Sequence, residues 1–360
     1  MHLRSLLWGC LLAAMAALPA HADSLQACGR NMNVPAAYDG RIGAICGLHA
    51  PEDFQAMPDL RHIVISDMRM GNAKTGGLYL LDVASGQIAP LARVSDRGHD
   101  PIWGDAACPD VGAAASFAPH GIHISTRPDG AVQLLVITHS TGERIEFYQL
   151  KQQSGQIIAA WRGCVATDGK GLLNAVADLP GGGFVASVSF SYADAAKPNG
   201  MRKVFSGIDT GYLLTWSPGS GLRRLPHSEA AFNNGVETSP DGRLIYVAAW
   251  SANQIDVYDR AKARMVRRVK LPFAPDNLRQ GPHGTIIAAG VSNVDAYLEN
   301  PPGVNQSFVS AWDPATNRVE PLFHAAAGLL RGTTTGLWVG RDLYVTSVLD
   351  PLVLKIAPSR

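Results

Sequence analysis

The chain has 360 residues, of which 46% are hydrophobic and 17% charged, with a formal net charge of +1. That length is ample for a buried core. The near-neutral balance, without a Lys/Arg block, excludes a protein drawn by its field to nucleic acid or to an anionic surface.

The N-terminus reads MHLRSLLWGCLLAAMAALPAHADS, with Arg4, an apolar run from Leu6 to Leu18, and Ala20-His21-Ala22 as a cleavage signal. This predicts a secretory signal peptide over residues 1–22, cleaved after Ala22, and an exported (periplasmic or extracellular) mature chain. The apolar run is too short for a comfortable span, and no transmembrane segment is read further on. The stretch before Cys10 is also too short for a lipid-modified cysteine. Cleavage leaves Cys28, Cys46, Cys108 and Cys164. An even number in an exported chain indicates disulfides, with three connectivities open. Cys28–Cys46 with Cys108–Cys164 closes the shortest loops first.

Along residues 23–360, read as one domain, short Val/Ile/Leu/Tyr runs alternate with Gly, Pro, Asn and Asp, an all-β pattern. Only 195–205 and 324–330 have a modest helical character. One grammar recurs: a short strand, a tight turn, a stronger strand, a polar turn, a further strand. It begins at EDFQAMPDLRHIVISDM (52), HGIHISTRPDGAVQLLVITHS (120), NAVADLPGGGFVASVSF (174), NGVETSPDGRLIYVAAW (234), DNLRQGPHGTIIAAG (276) and TTTGLWVGRDLYVTSV (333). Six such units predict a six-bladed β-propeller, and residues 23–48 either add a strand to the last blade or cap one end.

In a propeller the first strand of each blade lines the central channel. The six starts bring Glu52-Asp53, His120, Asn174, Asn234, Asp276-Asn277 and Thr333–Thr335 to one mouth. Two carboxylates among carboxamides suit a hard divalent cation with six to eight oxygen ligands, calcium above all, whereas zinc would favour His and Cys. For any single residue, turn capping explains an Asn or Asp equally well. The repeated position is what points to a channel metal site. His123, three residues after His120 on the same strand and therefore on its opposite face, is read as structural.

FAPHGIHIS, LLVITHS, LLNAVA, FNNGVETSPDGRLIYVA, PDNLRQ and PEDFQAMP, in this order, resemble the paraoxonase (arylesterase/lactonase) family over residues 45–356. That family is related to the gluconolactonase and senescence-marker propellers. The resemblance implies a six-bladed propeller with calcium in its channel that hydrolyses lactones and aryl esters. It implies Glu52, Asn174, Asn234, Asp276 and Asn277 as ligands of a catalytic Ca2+, His120 as the histidine that activates water, and His139 as its partner. A second, structural ion in the family uses an Asp where this chain has Ala175. Asp53 and the Ile122 carbonyl remain for that ion, a weakened set. The family disulfide to the last strand has no counterpart, since no Cys follows Cys164. The segment 191–216 falls where the family places a lid, with Met201, Phe205 and Tyr212 as apolar candidates over the metal.

The chemistry expected is hydrolysis of a small-molecule lactone or ester by a His-assisted water, with calcium polarising the carbonyl. The alternative from a different class is a non-catalytic propeller used for binding or assembly. A quinone-dependent dehydrogenase is disfavoured, as the sequence offers no vicinal Cys pair. A serine-nucleophile hydrolase is disfavoured too, as it offers no G-x-S-x-G elbow.

Overall fold

The computed structural model describes residues 28, 34–38, 40–68, 76–95, 101–109, 117–140, 142–295 and 305–358. The leader and its cleavage site lie outside the described residues. Among the described residues there are six sheets, antiparallel apart from one added outer strand, each built outward from one buried strand. The innermost strands are Pro51–Ala56, Pro119–Thr126, Gly171–Leu179, Asn233–Thr238, Ala274–Gln280 and Thr333–Val339, taken as blades one to six. This is the six-bladed β-propeller that the repeated grammar predicts.

The hairpins follow from the turn residues. In blade four, Pro240-Asp241-Gly242 reverses the chain, with the Gly242 N–H donating to the Ser239 carbonyl at 2.7 Å. Asp241 Oδ1 accepts the Arg243 N–H at 3.0 Å, and Gly242 sits at φ +65°, which a side chain would resist. The apolar strand that follows, Leu244–Ala249, packs its faces against both neighbouring blades. Between blades two and three, Phe147, Phe184 and Trp216 form one aromatic core with ring centroids 5.4–5.9 Å apart.

Blade six is closed by both ends of the chain. Ile42–Cys46 pairs antiparallel with Leu352–Ile356, so the N-terminal segment supplies the outermost strand of the last blade. Blade two carries a fifth strand, Ala92–Ser95, parallel to Gln156–Ala166. Both disulfides form between nearest cysteines: Cys28–Cys46 (Cα–Cα 5.5 Å) and Cys108–Cys164 (5.6 Å).

Two helical expectations need correction. Val319–Ala325 is the outer strand of blade five, followed by a turn, because it pairs with Ser307–Trp312. Pairing takes His324 and Ala325 into the strand, and residues 326–330 form the turn that leads to blade six. The stretch 195–205 is two short helices, Tyr192–Ala195 and Gly200–Val204, interrupted where Pro198 and the left-handed Asn199 (φ 59°) cannot continue a helix. Among the described residues no helix is long and apolar enough to cross a membrane.

Candidate active site

Each innermost strand breaks register with its neighbour at the residues singled out by the sequence. The shifts fall between Pro51 and Asp53, Pro119 and Ile122, Leu173 and Val176, Asn233 and Val236, Pro275 and Leu278, and Thr333 and Gly336. A bulge bends a strand and re-aims a side chain. Six bulges at one level turn Glu52, His120, Asn174, Asn234 and Asp276 toward a common space. Close approach of the strands is set by glycine: a Cβ on Gly121 would lie 2.3 Å from the Asn174 carbonyl oxygen, and one on Gly235 2.4 Å from that of Asp276.

Those five residues floor a cavity of about 260 Å³. Its walls include Leu172, Phe190, Met201, Phe205, Phe232 and Trp250. Met201 and Phe205 come from the segment 191–216, as the sequence places them. Tyr212 does not line this cavity. It borders a separate one beside Asp168, with its ring 4.0 Å beneath the Arg224 guanidinium. Phe232, which the sequence reading misses, adopts φ 54°, uncommon for an aromatic residue. Its ring lies 4.8 Å from Trp250 and 5.7 Å from Phe205.

The floor is buried and short of hydrogen-bond donors. Glu52 Oε2, Asn174 Oδ1, Asn234 Oδ1 and Asn277 Oδ1 are all buried without a partner. Asn277 lies just behind the floor and donates through Nδ2 to Glu52 Oε1 (2.8 Å) and Thr335 Oγ1 (3.0 Å). Burial raises the Glu52 carboxyl well above its ordinary range, with Asp53 and Asp276 adding to the shift. Burial and then Asp53 do the same to Asp276. A buried acceptor without a partner costs stability unless something positive reaches it. The donor set fits a hard divalent cation: two carboxylates to match its charge, and neutral amide oxygens to fill the shell. No group of three or more His, Cys, Asp and Glu with metal-holding geometry exists among the described residues. A ring made largely of carboxamides lies outside that composition.

Asp53 and Ile122 face elsewhere. Asp53 Oδ2 accepts the Ile122 N–H (2.8 Å), and Oδ1 accepts Arg279 Nη2, the Phe54 N–H (2.8 Å) and Thr335 Oγ1 (3.1 Å). The Ile122 carbonyl accepts Arg279 Nη2 at 3.1 Å.

His120 belongs to a relay. Its Nδ1 is 2.9 Å from His139 Nε2, and His139 Nδ1 is 2.9 Å from Glu143 Oε1. Glu143 also accepts the Tyr192 hydroxyl (2.5 Å, on Oε1) and the Leu173 N–H (2.8 Å, on Oε2). A carboxylate can only accept, so His139 carries its proton on Nδ1 and offers Nε2 as acceptor. His120 must then donate through Nδ1, which leaves its Nε2 lone pair facing the cavity, 3.8 Å from Glu52 Oε1. Burial, followed by His139, drives the His120 pKa well below 6.5. Glu143 and Tyr192 are missed by the sequence reading. The one available signal is a carboxylate four residues after His139 across a tight turn. His123 points away from the cavity, bonded to Asp178 at 2.8 Å.

Fold and site together define a channel-mouth propeller with an oxygen-rich floor, a histidine relay and an apolar roof. The chain belongs to the Arylesterase family, whose model matches residues 68–309. It is similar to serum paraoxonase/arylesterase 1 of Homo sapiens, with 26% identity over 150 residues, 41% of this chain and 40% of that protein. It is likewise similar to the Mus musculus protein of that name, with 25% identity over 150 residues. The matched part thus spans about two fifths of those relatives. Among solved structures, a luciferin-regenerating enzyme shares the fold, with a TM-score of 0.54 at 12% identity over 88% of this chain and 95% of that one.

Proposed function

We propose that the chain is an exported, calcium-dependent hydrolase of lactones and aryl esters. One observation carries the reading. Four buried oxygens without partners, on Glu52, Asn174, Asn234 and Asn277, belong to residues that the sequence alone singles out as ligands. Together with Asp276 they would hold one Ca2+. When bound, the ion would supply a Lewis acid that polarises the substrate carbonyl and stabilises the oxyanion.

The chain's own residues supply the rest. His120 Nε2 takes a proton from the attacking water and returns it to the leaving oxygen. The water oxygen forms the new bond to the carbonyl carbon, and the ester C–O bond breaks. A lactone opens to a hydroxy acid; an aryl ester gives an acid and a phenol. Burial favours the neutral form of His120, which is the form that can accept a proton from water. His139 and Glu143 hold its tautomer. The aromatic roof excludes water and favours an apolar substituent. The two disulfides are consistent with an oxidising compartment and with residues 1–22 acting as an export signal.

The test uses the purified mature protein with an aliphatic γ-lactone, a long-chain acyl-homoserine lactone, phenyl acetate and gluconolactone. Each is assayed with calcium, after chelation, and with Asn234→Ala. Turnover lost on chelation, restored by calcium and lost in the variant is the expected result. Calcium binding without turnover of any substrate would instead identify a binding propeller.

A further inference from the structure

Below the floor lies a buried charge that no step of hydrolysis uses. Arg279 is 1% exposed and sits on the innermost strand of blade five, two residues beyond Asn277. Its donors are spent on three blades. Nε reaches the Phe54 carbonyl (3.1 Å), Nη1 the Leu278 carbonyl (2.7 Å), and Nη2 both Asp53 Oδ1 and the Ile122 carbonyl (3.1 Å). Blade six joins through Thr335, which donates to Asp53 Oδ1.

We propose that the Arg279 guanidinium is a built-in cation standing where a second metal ion would otherwise bridge Asp53 and the Ile122 carbonyl. The chain then binds a single divalent cation and keeps its fold without any. Three observations support this. The oxygens available to an ion at that level already receive Arg279 protons at hydrogen-bond distance. A guanidinium stays charged at any working pH and cannot vacate the place by losing a proton. Ala175, the blade-three residue at this level, offers only a methyl group, and its N–H goes to Ser187 Oγ at 3.0 Å. One carboxylate and a few carbonyls fall short of the six to eight oxygens calcium takes. With Asp53 cancelled by Arg279, the uncompensated charge above is that of Glu52 and Asp276 alone, which one divalent ion matches.

The single-ion count rests on the calcium reading above; metal independence of the fold does not. Metal content of the full mature protein, measured by plasma mass spectrometry after dialysis against calcium, should give one ion per chain. After chelation, the near-ultraviolet circular dichroism should persist and unfolding should remain cooperative. Two ions per chain, or loss of the near-ultraviolet signal on chelation, would overturn the proposal.

A double-mutant cycle separates the charge pair from packing. Arg279→Met leaves Asp53 buried without its cation and should lower the melting temperature by roughly 5–10 °C. Arg279→Met combined with Asp53→Asn should recover a large part of that loss. If Arg279→Met fails to fold, a folded double variant carries the same conclusion. Additive losses would overturn the pairing. No bound ion, with coupling between the two positions intact, would sink the calcium site while leaving the internal cation standing.

Discussion

Glu52 and Asp53 are neighbours on one strand, both buried, and their surroundings are opposite. Asp53 points down the channel, where one guanidinium, one hydroxyl and two backbone N–H groups meet its oxygens. Glu52 points to the mouth with one oxygen bonded to Asn277 and the other bare. The lower layer is internally satisfied and holds blades together. The upper layer is left open to something from outside. A bulge between Pro51 and Asp53 is what sends adjacent carboxylates into such different environments.

Exchanging the charges should separate the two layers most sharply. Glu52→Gln should abolish calcium binding and cut kcat/KM by at least ~10²-fold, the scale of losing oxyanion stabilisation. Its metal-free melting temperature should be unchanged or higher, since a costly buried carboxylate is gone. Asp53→Asn should do the reverse, losing stability because Arg279 is left unpaired. Equal stability losses in the two variants, read by thermal unfolding, would dissolve the distinction.

Within the upper layer, His120→Gln should lower kcat by ~10²–10⁴-fold, the range for a lost general base. Calcium affinity measured by titration calorimetry should hold, as the oxygens stay in place. A large loss of calcium binding would make His120 a ligand-ring member instead of a base.

Farther out, Glu143→Gln should reduce kcat by about tenfold and alter the acid limb of the pH–rate profile, because the His139 tautomer is no longer fixed. Tyr192→Phe should have a smaller effect. Identical pH profiles in wild type and Glu143→Gln would end the relay argument.

The smallest effect belongs to the lower face. Burial opposes charge on His123, but the Asp178 bond and Glu237 outweigh it, so its pKa is raised above 6.5. Asp178 is lowered below 3.8: burial works against the charge, and the His123 bond prevails. The sign follows from both. The His123 contribution is complete below about pH 6.5 and fades as pH climbs through the raised value. That of Asp178 is complete above pH 3.8 and fades as pH drops through the lowered value. Asp178 is 36% exposed, so the pair is worth about 1 kcal/mol or less. Urea unfolding at pH 6 and pH 9 should show a midpoint shift that His123→Gln removes.

Much of the blade order is legible because each unit repeats one turn chemistry, as the Pro-Asp-Gly of blade four shows. The mouth residues are legible for the same reason: a repeat converts distant positions into neighbours. Arg279 is not, although the period of two puts it on Asn277's side of the strand. Its partner Asp53 lies 226 residues away, and only the closed ring brings them together. Tyr212 was misplaced because it sits past the two short helices, where the chain has already left the roof. Phe232 was missed because its left-handed backbone, not its sequence neighbours, turns the ring inward. The run at 324–330 has a modest helical character in the sequence, but the open edge of blade five takes His324 and Ala325 into its outer strand and the rest becomes a turn.

The closure of blade six has a kinetic consequence. Ile42–Cys46 finds its partner only at Leu352–Ile356, almost the whole chain away. During synthesis the early strand must wait unpaired until the last blade emerges. High sequence separation of this kind slows folding and leaves strand edges open to wrong partners. The Cys28–Cys46 bond sits at the waiting strand's end and does not span the seam, so the ring is held shut there by the backbone ladder, the Arg41 Nη1 bond to the Ala357 carbonyl (3.2 Å) and the packing of Ala44 and Ile45 against the last blade. A circular permutant opened at a loop between two other blades would remove this wait, and its refolding rate compared with the parent would measure how much of the barrier is the seam.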